Sequence, residues 1–201
     1  MKIIDDENLI PDKAILEKVI KEHPFYKNID KIINNVIIMK CLNTTENIDI
    51  NSETGDVTLC IFETTFMKDN YEYILYHEIG HIADILNPEF NFSITKKESL
   101  NDLEKSKVTE IWNVYIDSRL NDKNIFKLGN NDLNVCSMVG GKLQKLPYSI
   151  DGKLLGHTHY LKSRCIKNAK QIVEKIWNNP NNPLSYDNII EIIKKVKLDI
   201  G

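Results

Sequence analysis

The sequence predicts an α+β chain, dominated by helices, with one small antiparallel or mixed sheet. Three observations carry this. Helical recurrence of apolar residues runs through much of the 201 residues, two short β-rich runs stand at 36–42 and 57–64, and no internal repeat or domain-splitting linker interrupts the chain. This length can bury a core of its own, so a single domain over 1–201 is expected.

Residues 11–22, PDKAILEKVIKE, open with proline and put Ala14, Ile15, Val19 and Ile20 on one side, which predicts an amphipathic helix. A second helical piece is expected over about 24–34 and a strand over 36–42. The polar stretch 43–55, ending Glu53-Thr54-Gly55, reads as a loop or hairpin connection. In the run 57–64, Val57, Leu59 and Ile61 share one face, and Thr58, Cys60 and Phe62 the other. The two β-rich runs are expected to pair antiparallel.

Residues 71–86, YEYILYHEIGHIADIL, form an apolar helical run stopped by Asn87-Pro88. A loop over 87–97 precedes a long helix from Ser99 or Leu103 to Leu120. Residues 122–152 carry little periodicity and are punctuated by Gly129, Gly140-Gly141 and Pro147. A helix is expected over 158–178, a turn over 178–183, and a last amphipathic helix over 186–196.

Composition excludes some functions. The chain is 42% hydrophobic and 27% charged, with a net charge of −3 and a pI near 6.0. Neither a basic field for nucleic acid nor a Lys/Arg block for a membrane surface is present, so neither partner is expected. No apolar run approaches the ~20 residues of a membrane span. The acidic start MKIIDDENLIPDK lacks the apolar core of a secretory signal. Cys41, Cys60, Cys136 and Cys165 are scattered without a C-x-x-C pair, which predicts reduced thiols in a cytoplasmic protein and no structural zinc knuckle.

The chemistry concentrates in His77-Glu78-Ile79-Gly80-His81. Histidines four apart on a helix leave one face a turn apart, with Cβ atoms about 5–6 Å from one another. Both imidazoles can then reach one zinc ion at about 2.0–2.1 Å, with Glu78 beside the ion but not on it. Water bound to zinc has its pKa lowered to about 7, and Glu78 is the base next to it. Burying His, Glu and His in an apolar helix without a partner is costly, and a metal is such a partner. The alternative is that all three merely hydrogen-bond to the core or face solvent.

A catalytic zinc site takes three protein ligands and a water. The helix 103–121 offers the third. Its apolar residues wrap most of the circumference, leaving the narrow polar stripe Glu110, Asn113, Asp117 and Asn121. By itself such a stripe could be a solvated face; after a His-Glu-x-x-His helix it reads as a carboxylate source. Asp117 is preferred because Asn113 and Asn121 flank it by one turn, with Glu110 as runner-up. Asp84 shares the histidines' face and reads as a hydrogen-bond acceptor or a partner for Arg119 rather than a ligand. His157 and His159, in the run GHTHY, are a further possible ligand source.

These residues resemble the zincin metallopeptidases, in the branch that takes a glutamate or aspartate as third ligand. Trp112-Asn113-x-x-x-Asp117-x-x-x-Asn121 is similar to the W-N-x-x-x-D-x-x-x-N segment of metallopeptidase domains found beside von Willebrand A-type modules, and in that comparison Asp117 is the ligand. In the gluzincins a glutamate on the second helix takes that place, which would be Glu110, although their Asn-Glu-x-x-Ser-Asp motif is missing here. The extended metzincin motif is also missing: Asp84 stands at its glycine position and no third histidine follows. The downstream glutamate of aminopeptidase zincins would fall on Leu100. The resemblance covers about residues 57–121, a metal-site core, followed by a helical part over 122–201.

The resemblance implies a zincin-like fold, one zinc ion per chain and hydrolysis of a peptide or protein substrate, with Glu78 moving the proton. It implies a further hydrogen-bond donor to the reacting carbonyl, for which His157, His159, Tyr160, Tyr76 and Tyr115 are candidates. It also implies that the strand Val57–Glu63 is an edge holding an extended substrate. The alternative reading is a catalytically inactive or regulatory module that keeps the metal without turnover. Retention of Glu78 speaks against it, because a structural zinc site has no use for an unligated base.

Overall fold

The computed structural model describes residues 1–41, 46–51, 53–62, 71–125, 134–139, 142–147 and 150–198. Parts of several expected segments (43–45, 63–64, Gly129, Gly140-Gly141) lie outside the described residues, as does the side chain of Cys136. The chain is α+β and helix-dominated, with a small mixed four-stranded sheet. Backbone contacts divide it into two compact units, Met1–Pro88 and Glu89–Gly201.

The first unit contains β1 (Lys2–Ile4), α1 (Lys13–Lys21), α2 (Ile29–Ile32), β2 (Asn35–Lys40), β3 (Asn47–Asn51), β4 (Asp56–Ile61) and α3 (Tyr71–Leu86). The buried Asp5 shapes the turn after β1, accepting from the Leu9 and Ile10 amides at 2.9 Å each. Asp12 caps α1 by accepting from the Ala14 amide at 2.9 Å. The buried stripe of α1 is Leu16, Val19 and Ile20, while Ala14, expected inside, is exposed.

The sheet order is β1-β2-β4-β3. Val57, Leu59 and Ile61 share the buried face of β4, as their alternation predicts. The expected antiparallel pairing of the two β-rich runs is corrected: β2 and β4 are parallel, with Val36 opposite Val57 and Ile38 opposite Leu59. The antiparallel place beside β4 belongs to β3, which lies inside the stretch expected to be a connection. A tight turn joins β3 to β4, and such a turn imposes antiparallel pairing. Gly55 serves it with φ of 68°, where an added Cβ would sit 2.7 Å from the Ile32 carbonyl oxygen.

Helix α3 spans its predicted range and is buried over most of its surface. Within the unit it packs against α1 and approaches β3. His23, buried at the end of α1, accepts from the Phe25 amide through Nδ1 (3.5 Å) and so donates through Nε2 to the Tyr76 carbonyl (2.9 Å). That neutral tautomer ties the middle of α3 to the chain leaving α1.

The second unit contains α4 (Ile94–Glu98), α5 (Asp102–Asp122), the antiparallel hairpin β5 (Asn134–Val139) and β6 (Lys142–Pro147), α6 (Ile150–Ser163), α7 (Ala169–Trp177) and α8 (Tyr186–Leu198). Asn101 and Glu104 form a capping box at the start of α5. Phe90 stacks on Trp112 with centroids 4.9 Å apart, and Phe92 meets Tyr186 edge-on at 5.0 Å. Burial pushes the Tyr186 hydroxyl up to about 12.

The single helix expected over 158–178 is two helices, the first of them beginning at Ile150. Between them Cys165 takes φ of 65°, its amide bonds to Lys162 O (3.0 Å), and the Ile166 amide bonds to Leu161 O (3.1 Å). That is a Schellman closure with cysteine where glycine is usual. Among the described residues no helix is long and apolar enough to cross a membrane.

Candidate functional site

Helix α3 brings His77 and His81 together. Their ring centroids are 5.2 Å apart, with planes at 75°. Two imidazoles bound to one zinc at about 2.0–2.1 Å and a near-tetrahedral angle have centroids about 5 Å apart, so this pair fits a shared ion. The fit follows from helical spacing, since residues four apart lie one turn apart on one face. His77 is half-buried, and Glu78 and His81 are each 9% exposed. Tyr73, one turn earlier, lies 6.2 Å from the His77 ring. Asp84 continues the same face and is buried.

The stripe on α5 is not a solvated face. Asp117 is fully buried, and the Glu110 side chain is only 12% exposed. Both meet His157 of α6, whose Nδ1 is 2.8 Å from Glu110 Oε1 and whose Nε2 is 3.0 Å from Asp117 Oδ2. Lys153 Nζ donates to the same Asp117 oxygen at 3.1 Å. Asn113 Nδ2 donates to Glu110 Oε2 at 3.5 Å.

Spacing explains the match. Glu110 and Asp117, seven apart, face the way that Lys153 and His157, four apart, face from α6. Burial works to lower the His157 pKa, but its hydrogen bonds and charge interactions with Asp117 and Glu110 outweigh that and raise it to about 9. The imidazole is therefore cationic at neutral pH.

His157 and His159 lie on α6, where residues two apart point to different sides. His157 turns to α5, while His159 lines a cavity of about 320 Å³ with Leu155, Thr158, Lys162, Lys170 and Glu174. Tyr160 lies at the surface, its hydroxyl 2.8 Å from Ser106 Oγ and its ring 5.0 Å from the Arg164 guanidinium. A separate groove of about 610 Å³ between α7 and α8 contains no histidine or cysteine.

Sequence reasoning missed Lys153, which lies between the stretch 122–152 and the helix expected over 158–178, and His23, which bonds to the Tyr76 carbonyl of α3. The one signal for Lys153 was its four-residue spacing from His157. Among the described residues, no group of three or more His, Cys, Asp or Glu is gathered to hold an ion. Cys60 and Cys165 are free thiols. No family model matches the chain, and no curated protein or solved structure is matched to it either.

Proposed function

We propose that the chain is a zinc-dependent hydrolase of the zincin kind, a metallopeptidase, with His77 and His81 as metal ligands and Glu78 as general base. The observation that carries this reading is the pair of imidazoles lying 5.2 Å apart on adjacent turns of α3, with Glu78 one residue away. Asp117 is the proposed third ligand and Glu110 the runner-up, on their place in the α5 stripe. Zinc bound there would supply Lewis acidity toward a substrate carbonyl and lower the pKa of water to about 7.

The chain's own residues do the rest. Glu78 takes the proton from the attacking water and delivers it to the leaving amine. Support for a zincin-like fold comes from a mixed sheet whose antiparallel outer strand, β3, approaches α3.

One detail of the expected substrate path changes. Strand β4 is paired on both sides over Asp56–Cys60 and cannot accept another strand there. Among the described strands β3 is outermost on that side, so its backbone is the proposed rail for an extended peptide. The thiols of Cys60 and Cys165 fit a reducing compartment such as the cytoplasm.

Metal analysis of protein purified without chelators, combined with Glu78→Gln, tests the reading. About one zinc per chain is expected in both proteins, while hydrolysis of labelled casein falls about 10²–10⁴-fold in the variant. Zinc in both proteins with no hydrolysis by either would favour the metal-binding module without turnover. A wild-type chain that never holds a transition metal overturns both.

A further inference from the structure

A cavity of about 320 Å³ lies between α6 and α7. That is the lower end of the size range of small-molecule sites, about 300–1,000 Å³. Two neighbouring rows of α6 line it, Leu154, Thr158 and Lys162 in one and Leu155 and His159 in the other. Within each row the residues are four apart, the spacing that stacks side chains on one helix face. Lys170 and Glu174, also four apart, line it from α7. All of these residues belong to the unit Glu89–Gly201.

Thr158 marks the cavity as a ligand site. It is 6% exposed, whereas the other lining residues are half-buried or exposed. A hydroxyl inside a helix commonly bonds to a carbonyl one turn back, as Ser163 does here with Tyr160 O at 2.6 Å. The Thr158 hydroxyl has no hydrogen-bond partner among the described residues. Among those residues, Arg164 Nε is the only fully enclosed side-chain polar atom left without a partner. The Thr158 oxygen therefore still reaches open space, and the open space it borders is this cavity.

The ionisable groups around that hydroxyl are mostly basic. Lys162 has no ion-pair partner among the described residues. Lys170 meets Glu174 only at 3.6 Å, with side chains 69% and 48% exposed, so a ligand can displace that contact. His159 adds a half-buried imidazole, and Leu154 and Leu155 an apolar wall. A carboxylate ligand has one charge and two oxygens. A phosphate monoester has close to two charges and three terminal oxygens, which uses these donors more fully.

We propose that this cavity binds a phosphate monoester. Thr158 Oγ1 donates to a phosphate oxygen, Lys162, Lys170 and His159 surround the dianion, and Leu154 and Leu155 cover the apolar group of the ester. Glu174 is the one acidic side chain in the lining, and it opposes binding. The site is independent of the zinc reading.

Calorimetric titration of the full chain, in EDTA and at low ionic strength, tests the site with phenyl phosphate, inorganic phosphate and phenol. Phenyl phosphate is expected to bind about tenfold more tightly than inorganic phosphate, because its ring is partly buried, and phenol not measurably. Thr158→Val keeps the branched shape without the hydroxyl and should weaken phenyl phosphate about tenfold or more. Lys162→Met and Lys170→Met should each weaken it about tenfold, and Glu174→Gln should strengthen it.

Attraction to surface charge alone would respond to the lysine changes and not to Thr158→Val. Affinity of Thr158→Val within twofold of wild type therefore overturns the proposal, whatever the lysine variants do. If Thr158→Val does not fold, Thr158→Ala carries the comparison. A wild-type chain that binds no phenyl phosphate, or weaker binding by Glu174→Gln, also overturns it. A phosphotyrosine peptide bound tenfold more tightly than phenyl phosphate places the ester on a polypeptide, and equal affinity places it among free small molecules. Either result supports the site.

Discussion

Helices α3 and α5 both bury ionisable groups, but they arrange them differently. In α5 the carboxylates of Glu110 and Asp117 turn to cationic groups on α6, at 2.8, 3.0 and 3.1 Å. In α3 two imidazoles leave the same helix one turn apart and lie edge to face at 5.2 Å. The first arrangement neutralises buried charge with protons already on the chain and clips two helices together. The second sets two like groups side by side, where neither can serve as the other's ion-pair partner. A cation between them would use both.

The largest expected effect that could break this contrast is in the α5 cluster. Asp117→Asn leaves the Lys153 and His157 cations without their fully buried counter-charge, which costs about 3–5 kcal/mol. Urea unfolding in EDTA measures it, and a variant as stable as wild type would show that the cluster does not clip α5 to α6.

A second measurement sharpens the contrast through pH. His157 has its pKa raised from 6.5 to about 9 in the folded protein, so its contribution is fully present below pH 6.5 and is lost as pH rises through about 9. The groups facing it are Glu110 and Asp117 from α5, with Lys153 beside it on α6. The loss is on the order of 3 kcal/mol. Unfolding in EDTA between pH 6 and pH 10 should show it in wild type and not in His157→Gln. Equal pH profiles would mean that the ring is not held as a cation.

The smallest effect is expected at the surface of the first unit. Lys18 pairs with Glu72 of α3 at 3.4 Å, with both side chains well exposed. Lys18→Met should leave the thermal midpoint unchanged, because exposed pairs are screened and entropically costly. A clear drop in that midpoint would mean that exposed charge, not the buried His23–Tyr76 link, ties α1 to α3.

How much of this was legible varies by element. The limits of α3 could be read because an apolar run with helical recurrence ended at Asn87-Pro88. The inward set of β4 could be read because its alternation was clean. Strand β3, Asn-Ile-Asp-Ile-Asn, was missed because asparagine and aspartate are poor strand formers, so the pairing with β4 had to outweigh propensity. The break at Cys165 was missed because its left-handed conformation is usually marked by glycine. The stripe on α5 was found by counting residues, but its partners on α6 lie 36 and 40 positions away from Asp117.

The sequence by itself determined the helix-dominated α+β class, the extent of α3 and the placing of His77 and His81 on one side of it, because these depend on periodicity within a single segment. Only the tertiary structure decided that β2 runs parallel to β4, that β3 takes the outer place, and that Glu110 and Asp117 meet His157. Those outcomes depend on which distant segments share a surface, and local spacing carries no information about partners contributed by another part of the chain.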